Sequence, residues 1–196
     1  MPTGTIDPQP LGRTSWTVLI ALAVLCLLAG IQPLMGTAVA WFPYVAVPAA
    51  IGLPFLLPAL RPVPVGETTW LLWAVDLVAV AVLLVTAWVL LRAAVRKRPF
   101  PRPARAFGRA LGVTVLAVMA ANLVRGVAYS FVLHADLGTF LGTTAANLVF
   151  SALFGAAFGI LVGIAVAIAA ATARRPAVDD SPAPVSAGTP APANVG

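Results

Sequence analysis

The sequence predicts an all-α polytopic membrane bundle of four to five transmembrane helices with disordered termini. Three observations carry this. Hydrophobic residues make up 61% of the 196 positions and charged residues only 9%, far from the balance of a soluble domain, whose core could not hide so much apolar surface. Four runs, 15–60, 68–91, 110–133 and 137–173, hold between them two formal charges, Asp76 and Arg125; uncharged stretches of about 18 residues or more are candidate spans. Seven of the twelve Lys and Arg residues gather in one acid-free loop, 92–109: Arg92, Arg96, Lys97, Arg98, Arg102, Arg105 and Arg109. Such clusters collect in cytoplasmic loops and orient every span around them.

In chain order, residues 1–14 carry three prolines, one acid and one base, the composition of a disordered tail. The next 46 residues are uncharged; as one helix they would reach about 69 Å, roughly two bilayer crossings. Gln32, Pro33 and Gly36 break this run into a first span, about 15–35, and a second piece, 44–60, which contains Pro48, Pro54 and Pro58 and directly follows Pro43. That piece is either a kinked span or a re-entrant segment that dips in and returns. With a cytoplasmic loop at 92–109, spanning gives five crossings and an outer amino terminus, and dipping gives four crossings and an inner one. Arg13 beside the first span favours the inner start, whereas the length and apolarity of 45–60 favour a crossing. A cleaved leader ending at Ala38-Val39-Ala40 is a third reading, though the stretch from Ala29 to Ala40 is long for that purpose.

Pro62, Pro64 and Gly66 mark an exposed turn, after which Thr68 or Thr69 is placed to cap a helix over 68–91. Trp70 and Trp73 near one end and Trp88 near the other are the rim anchors of a true span. The next span covers 107–133, and His134 and Asp136 mark a short outer turn. One histidine and one acid are too few ligands for a metal site. The last apolar run exceeds one crossing, so 137–144 is expected as an outer loop or interfacial turn and 145–173 as the span. Arg174 and Arg175 end it on the cytoplasmic side, and 174–196, rich in Pro and Ala, reads as a disordered cytoplasmic tail.

Two constellations stand out. Asp76 lies 16 residues before Arg92, and Arg125 lies 16 residues after Arg109, so both sit at one depth on consecutive antiparallel spans. Unpaired charges there are costly, and the two should face each other. Asn122 and Tyr129, at i−3 and i+4, share the face of Arg125 and offer it further partners. This set is either a structural ion pair fixing helix register or a polar transport site reached from outside. Ser151, Gly155, Gly159 and Gly163, continued by Ala167 and Ala171, form a small-xxx-small stripe for close helix packing, within the chain, with a second copy or with another membrane protein.

The net charge of +6 lies mostly in the 92–109 loop, so the bilayer and its anionic headgroups are the expected partners and nucleic acid is not. Cys26, alone inside an apolar run, allows no intramolecular disulfide. Eleven Arg against one Lys, with abundant Ala, Val and Pro, is what GC-rich coding tends to give and hints at a bacterial inner membrane. A catalytic triad, a phosphate loop, a zinc helix and an acidic magnesium cluster are all missing from the sequence, so no cofactor or metal is expected. The functional expectation is a non-enzymatic accessory or assembly protein acting through helix packing. The alternative is a small transporter or channel built on Asp76 and Arg125.

Overall fold

A computed structural model describes residues 11–54, 56–64, 68–97 and 103–172. Residues 1–10 of the expected 1–14 tail, the expected tail at 174–196, and Arg98 and Arg102 of the basic loop lie outside the described residues, whereas Arg13 and Thr14 of the first tail are already helical. Among the described residues there are six α-helices: α1 (Arg13–Gly30), α2 (Gln32–Trp41), α3 (Val47–Ala50), α4 (Trp70–Lys97), α5 (Pro103–Val132) and α6 (Leu137–Thr172), with a 3-10 turn at Pro43–Ala46. No strand occurs among the described residues.

Four of these, α1, α4, α5 and α6, are long and apolar enough to cross a bilayer. Their exposed surfaces are aliphatic, with Ile20, Val85, Val149, Leu153 and Ile168 each 58–61% exposed, as lipid-facing helices require. Helix α5 is central, packing most extensively on α6 and then on α4, while α1 closes the bundle against α6 and α4. The shared core is built from Val18, Leu22, Leu83, Leu91, Val118, Val162 and Val166, with alanines between them.

The start of α1 lies at an identifiable end of the bundle. Thr14, Ser15 and Val18 line one narrow crevice with Leu91, Ala106, Arg109 and Val166, and Leu11 and Arg13 line another with Ala169 and Thr172. The first helix therefore begins at the same end as the basic loop and as the end of α6.

The segment between α1 and α4 leaves and re-enters at the opposite end. Helix α2 and the Pro43–Ala50 piece meet at a bend of 118°, beyond a right angle, so the chain turns back. Its described residues 52–54 and 56–64 then run without helix, burying Leu53, Leu56, Leu57 and Ala59. The amide of Leu60 donates to the Cys26 carbonyl at 3.0 Å, and the indole Nε1 of Trp73 donates to the Arg61 carbonyl at 3.1 Å. Prolines at 43, 48, 54 and 58 interrupt any longer helix in the expected kinked or re-entrant 44–60 piece, whose described residues form one 3-10 turn, a four-residue helix and non-helical chain. Gly30 makes the return close, since a Cβ there would stand 2.5 Å from the Leu60 carbonyl oxygen.

Three boundaries also differ from the sequence reading. Helix α4 continues to Lys97 and α5 starts at Pro103, with proline in the first turn where its missing N–H costs nothing. The basic loop is thus mostly helix ends; Arg92 stacks on Trp88, 4.9 Å from the ring centroid, and Arg109 Nη2 donates to the Ala94 carbonyl at 3.3 Å. Residues 137–144, expected as an outer loop or interfacial turn, form the first turns of α6. Asp136 starts them as an N-cap: its Oδ1 accepts from the amides of Gly138 at 2.9 Å and Thr139 at 3.1 Å, and its Oδ2 from the Thr139 hydroxyl at 2.6 Å. At 36 residues, α6 is about 54 Å long, more than one hydrocarbon crossing requires.

Candidate functional site

Helix α4 supplies Asp76, α5 supplies Asn122 and Arg125, and α6 supplies Asn147 and Ser151; all meet in the half of the bundle away from the basic loop. Asp76 Oδ1 and Arg125 Nε approach to 2.8 Å, with side chains 14% and 5% exposed. Both atoms are shielded from solvent, so the opposite charges attract with little screening. Arg125 Nη1 donates to Asn122 Oδ1 at 3.1 Å, and the guanidinium lies 5.9 Å from the Tyr129 ring centroid. All four residues singled out from the sequence are therefore together.

The cluster extends further than those four. Asn122 Nδ2 donates to the Leu56 carbonyl at 2.9 Å. Leu56 has a φ of 44°, a left-handed backbone that a branched side chain rarely adopts, and the Asn122 bond holds its carbonyl in place. Asn147 Nδ2 donates to the Asn122 carbonyl at 2.6 Å, and the Ser151 hydroxyl donates to Asn147 Oδ1 at 3.3 Å. Gly126 makes room for that amide, because a Cβ there would stand 2.5 Å from Asn147 Nδ2. One connected set of polar groups thus joins α4, α5, α6 and the return segment.

Its reach across the bundle is limited. Among the described residues, the buried polar side chains outside the cluster are Thr114 and Ser15; Thr86 is half-buried. No group of three or more metal-ligating side chains occurs among the described residues. His134, exposed and at φ 52°, and the fully engaged cap Asp136 do not form a ligand pair. The Asp136 carboxyl is held below its ordinary pKa chiefly by the Thr139 hydroxyl, helped by the Thr139 and Gly138 amides. Above the cluster, a cavity of about 290 Å³ is bordered by Gly126, Tyr129, Ser130, His134 and the Gly52–Pro54 turn.

Comparison with protein families, with curated sequences and with solved structures found no match. Geometry alone carries the functional reading.

The second constellation is engaged inside the chain. A Cβ on Gly155 would stand 2.9 Å from the Val115 Cα, one on Gly159 would stand 2.7 Å from Leu111 Cδ1, and one on Gly163 would stand 2.7 Å from the Phe107 ring. With Ser151 also buried, this face is the seam against α5. The stripe does not continue through Ala167 and Ala171. Val166 and Ala170 are the buried residues there, Ala167 is half-buried and Ala171 exposed. A four-residue step overshoots the 3.6-residue turn by about 40° each time, so the buried line must fall back by one position. The remaining residues of the basic set are placed simply: Arg96 and Arg105 are exposed, and Arg92 and Arg109 half-buried.

Proposed function

We propose that this is a non-enzymatic accessory or assembly protein of a bacterial inner membrane. It crosses four times with the basic loop and both termini cytoplasmic, and offers an apolar arm at the outer side to another membrane-embedded protein. The observation that carries the reading is the arm itself. Helix α2 contributes no buried residue, and at the bend Trp41, Phe42 and Tyr44 are 78%, 67% and 86% exposed. The base of this arm is pinned by the Asn122 and Cys26 bonds, and the Asp76–Arg125 pair acts as the lock that fixes the helices beneath it. The seam on Gly155 and Gly159 is spent on α5, so a partner or second copy must use a different surface.

A photoreactive amino acid placed at Trp41 or Tyr44, with Ile168 as a lipid-facing control, tests this in native membranes. One discrete protein adduct from the arm positions and none from Ile168 is the expected outcome. Adducts to lipid alone at all three positions would remove the reading. Labelling of single cysteines at the two ends of the bundle from either side of the membrane checks the orientation.

The second reading is a small transporter or channel, and the cavity above Tyr129 favours it, since it opens one turn from Arg125. The apolar half of the core beneath the cluster weighs against a continuous route. Flux that disappears in an Asp76→Arg, Arg125→Asp exchange retaining the fold would favour the transporter.

A further inference from the structure

On the basic-loop half of the bundle, a surface groove of about 380 Å³ runs between α1 and α4. Trp16, Ile20 and Ala23 form one wall and Leu84, Val85 and Trp88 the other. Its lining is apolar throughout, so in a bilayer only a hydrocarbon chain fills it without cost. Its ends differ chemically. Toward the bundle centre the groove meets aliphatic residues, whereas toward the basic loop it is bordered by the two tryptophans. Indoles at that depth sit at headgroup level.

Immediately past Trp88 stands a concentration of positive charge. The Arg92 guanidinium is held 4.9 Å over the Trp88 ring, which fixes it at the mouth of the groove instead of leaving it to wander in solvent. Arg96 follows one turn on and is exposed, and Arg13, also exposed, opens α1 one turn before Trp16. The acids among the described residues, Asp76 and Asp136, lie toward the other end: Asp76 is 16 residues from Arg92 along one helix, about 24 Å away. An apolar slot closed by aromatics and capped by guanidiniums matches one amphiphile class: an acyl chain carrying an anionic phosphate.

We infer that the groove between α1 and α4 is a binding site for one anionic phospholipid of the leaflet on the basic-loop side. Its acyl chain lies along Ile20, Ala23 and Val85, and its phosphate is held by Arg92 with Arg13 and Arg96 around it. The basic loop is then more than a general attraction for charged lipid, because the slot selects one molecule and Arg92 reads its charge. Zwitterionic lipid fits the slot equally but gains less at its mouth, where the quaternary amine meets like charge.

Native mass spectrometry of the purified full-length chain, with phosphatidylglycerol and phosphatidylcholine of identical acyl chains in competition, tests this directly. The wild-type chain should retain one phosphatidylglycerol in preference. Arg92→Gln should reduce that preference about fivefold, the change expected for one base at an anionic headgroup. Ala23→Phe, which fills the slot, should abolish retention of both lipids. Arg105→Gln, in the same basic loop but on α5, should change nothing. Equal retention of the two lipids by the wild-type chain would overturn the site, as would equal losses in Arg92→Gln and Arg105→Gln. Retention undiminished by Ala23→Phe would overturn the groove as its location. The wild-type competition requires no variant, so the test survives if a substituted chain fails to fold.

Discussion

The α5–α6 seam gives the sharpest stability prediction, through Gly155→Ala. The added methyl would stand 2.9 Å from the Cα of Val115 and 3.5 Å from the Val118 Cβ. Carbon pairs rest at about 3.5–4.0 Å, so the helices must part by roughly 0.6 Å or more. Backbone is the obstacle, and no rotamer change relieves it. A gap of that size forfeits about a quarter to a half of each dispersion contact along the seam, and overpacking of this kind costs about 1–3 kcal/mol. Alanine also gains about 1 kcal/mol over glycine in a helix, which must be cancelled by a control. Gly112, on α5, has open space at its Cβ position, so Gly112→Ala records the helix gain alone. Unfolding in mixed micelles, titrated with a denaturing detergent and followed by helicity, should place Gly155→Ala about 2–3 kcal/mol below Gly112→Ala, the upper part of the overpacking range. Equal stability of the two variants would refute the close backbone contact. Gly163→Ala should fall between them, because its obstacle is the Phe107 ring, which can swing aside.

Other outcomes follow from the same geometry. Gly126→Ala should evict the Asn147 amide and cost about 1–3 kcal/mol in the same assay, the penalty of a buried amide left unpaired. Gly30→Ala should push the Leu60 carbonyl away and loosen the return segment, seen as faster thiol labelling of a Leu57→Cys variant carrying Cys26→Ala; unchanged labelling would contradict that contact. Asp136 gives a pH signature. Its folded pKa lies below the ordinary 3.8, so its contribution is complete above 3.8 and is lost as pH falls through the lowered folded value. Asp136→Ala should reduce the melting temperature at neutral pH and flatten this acid-side dependence.

The charge and glycine patterns made much of the bundle legible in advance. Equal counts from the two ends of the basic loop placed Asp76 and Arg125 at one depth, and they touch. The four-residue glycine spacing located a close-packed face, although its partner helix could not be read from spacing. The remainder depends on tertiary contacts and caps. Bilayer thickness sets the expected span at 145–173, whereas the Asp136 cap sets the start of the helix at Leu137; a helix need not end at the membrane edge, so the two bounds are different quantities. Prolines announced a break at 44–60 without fixing the chain's direction, which depends on the Leu60–Cys26 and Asn122–Leu56 bonds. Asn147 is not among the residues the sequence singles out, though an amide four residues before Ser151 on the small-residue stripe needs a partner and is the available signal.

The central claim is that the Asp76–Arg125 pair locks the helices and return segment into one arrangement. Its most direct test is a stability cycle of Asp76→Arg, Arg125→Asp and the double exchange. Each single variant leaves two like charges facing each other in the core and should lose at least the 3–5 kcal/mol typical of a broken buried pair. The exchange should recover most of that loss. Single variants as stable as the wild-type chain, or an exchange no better than either single change, would contradict the lock.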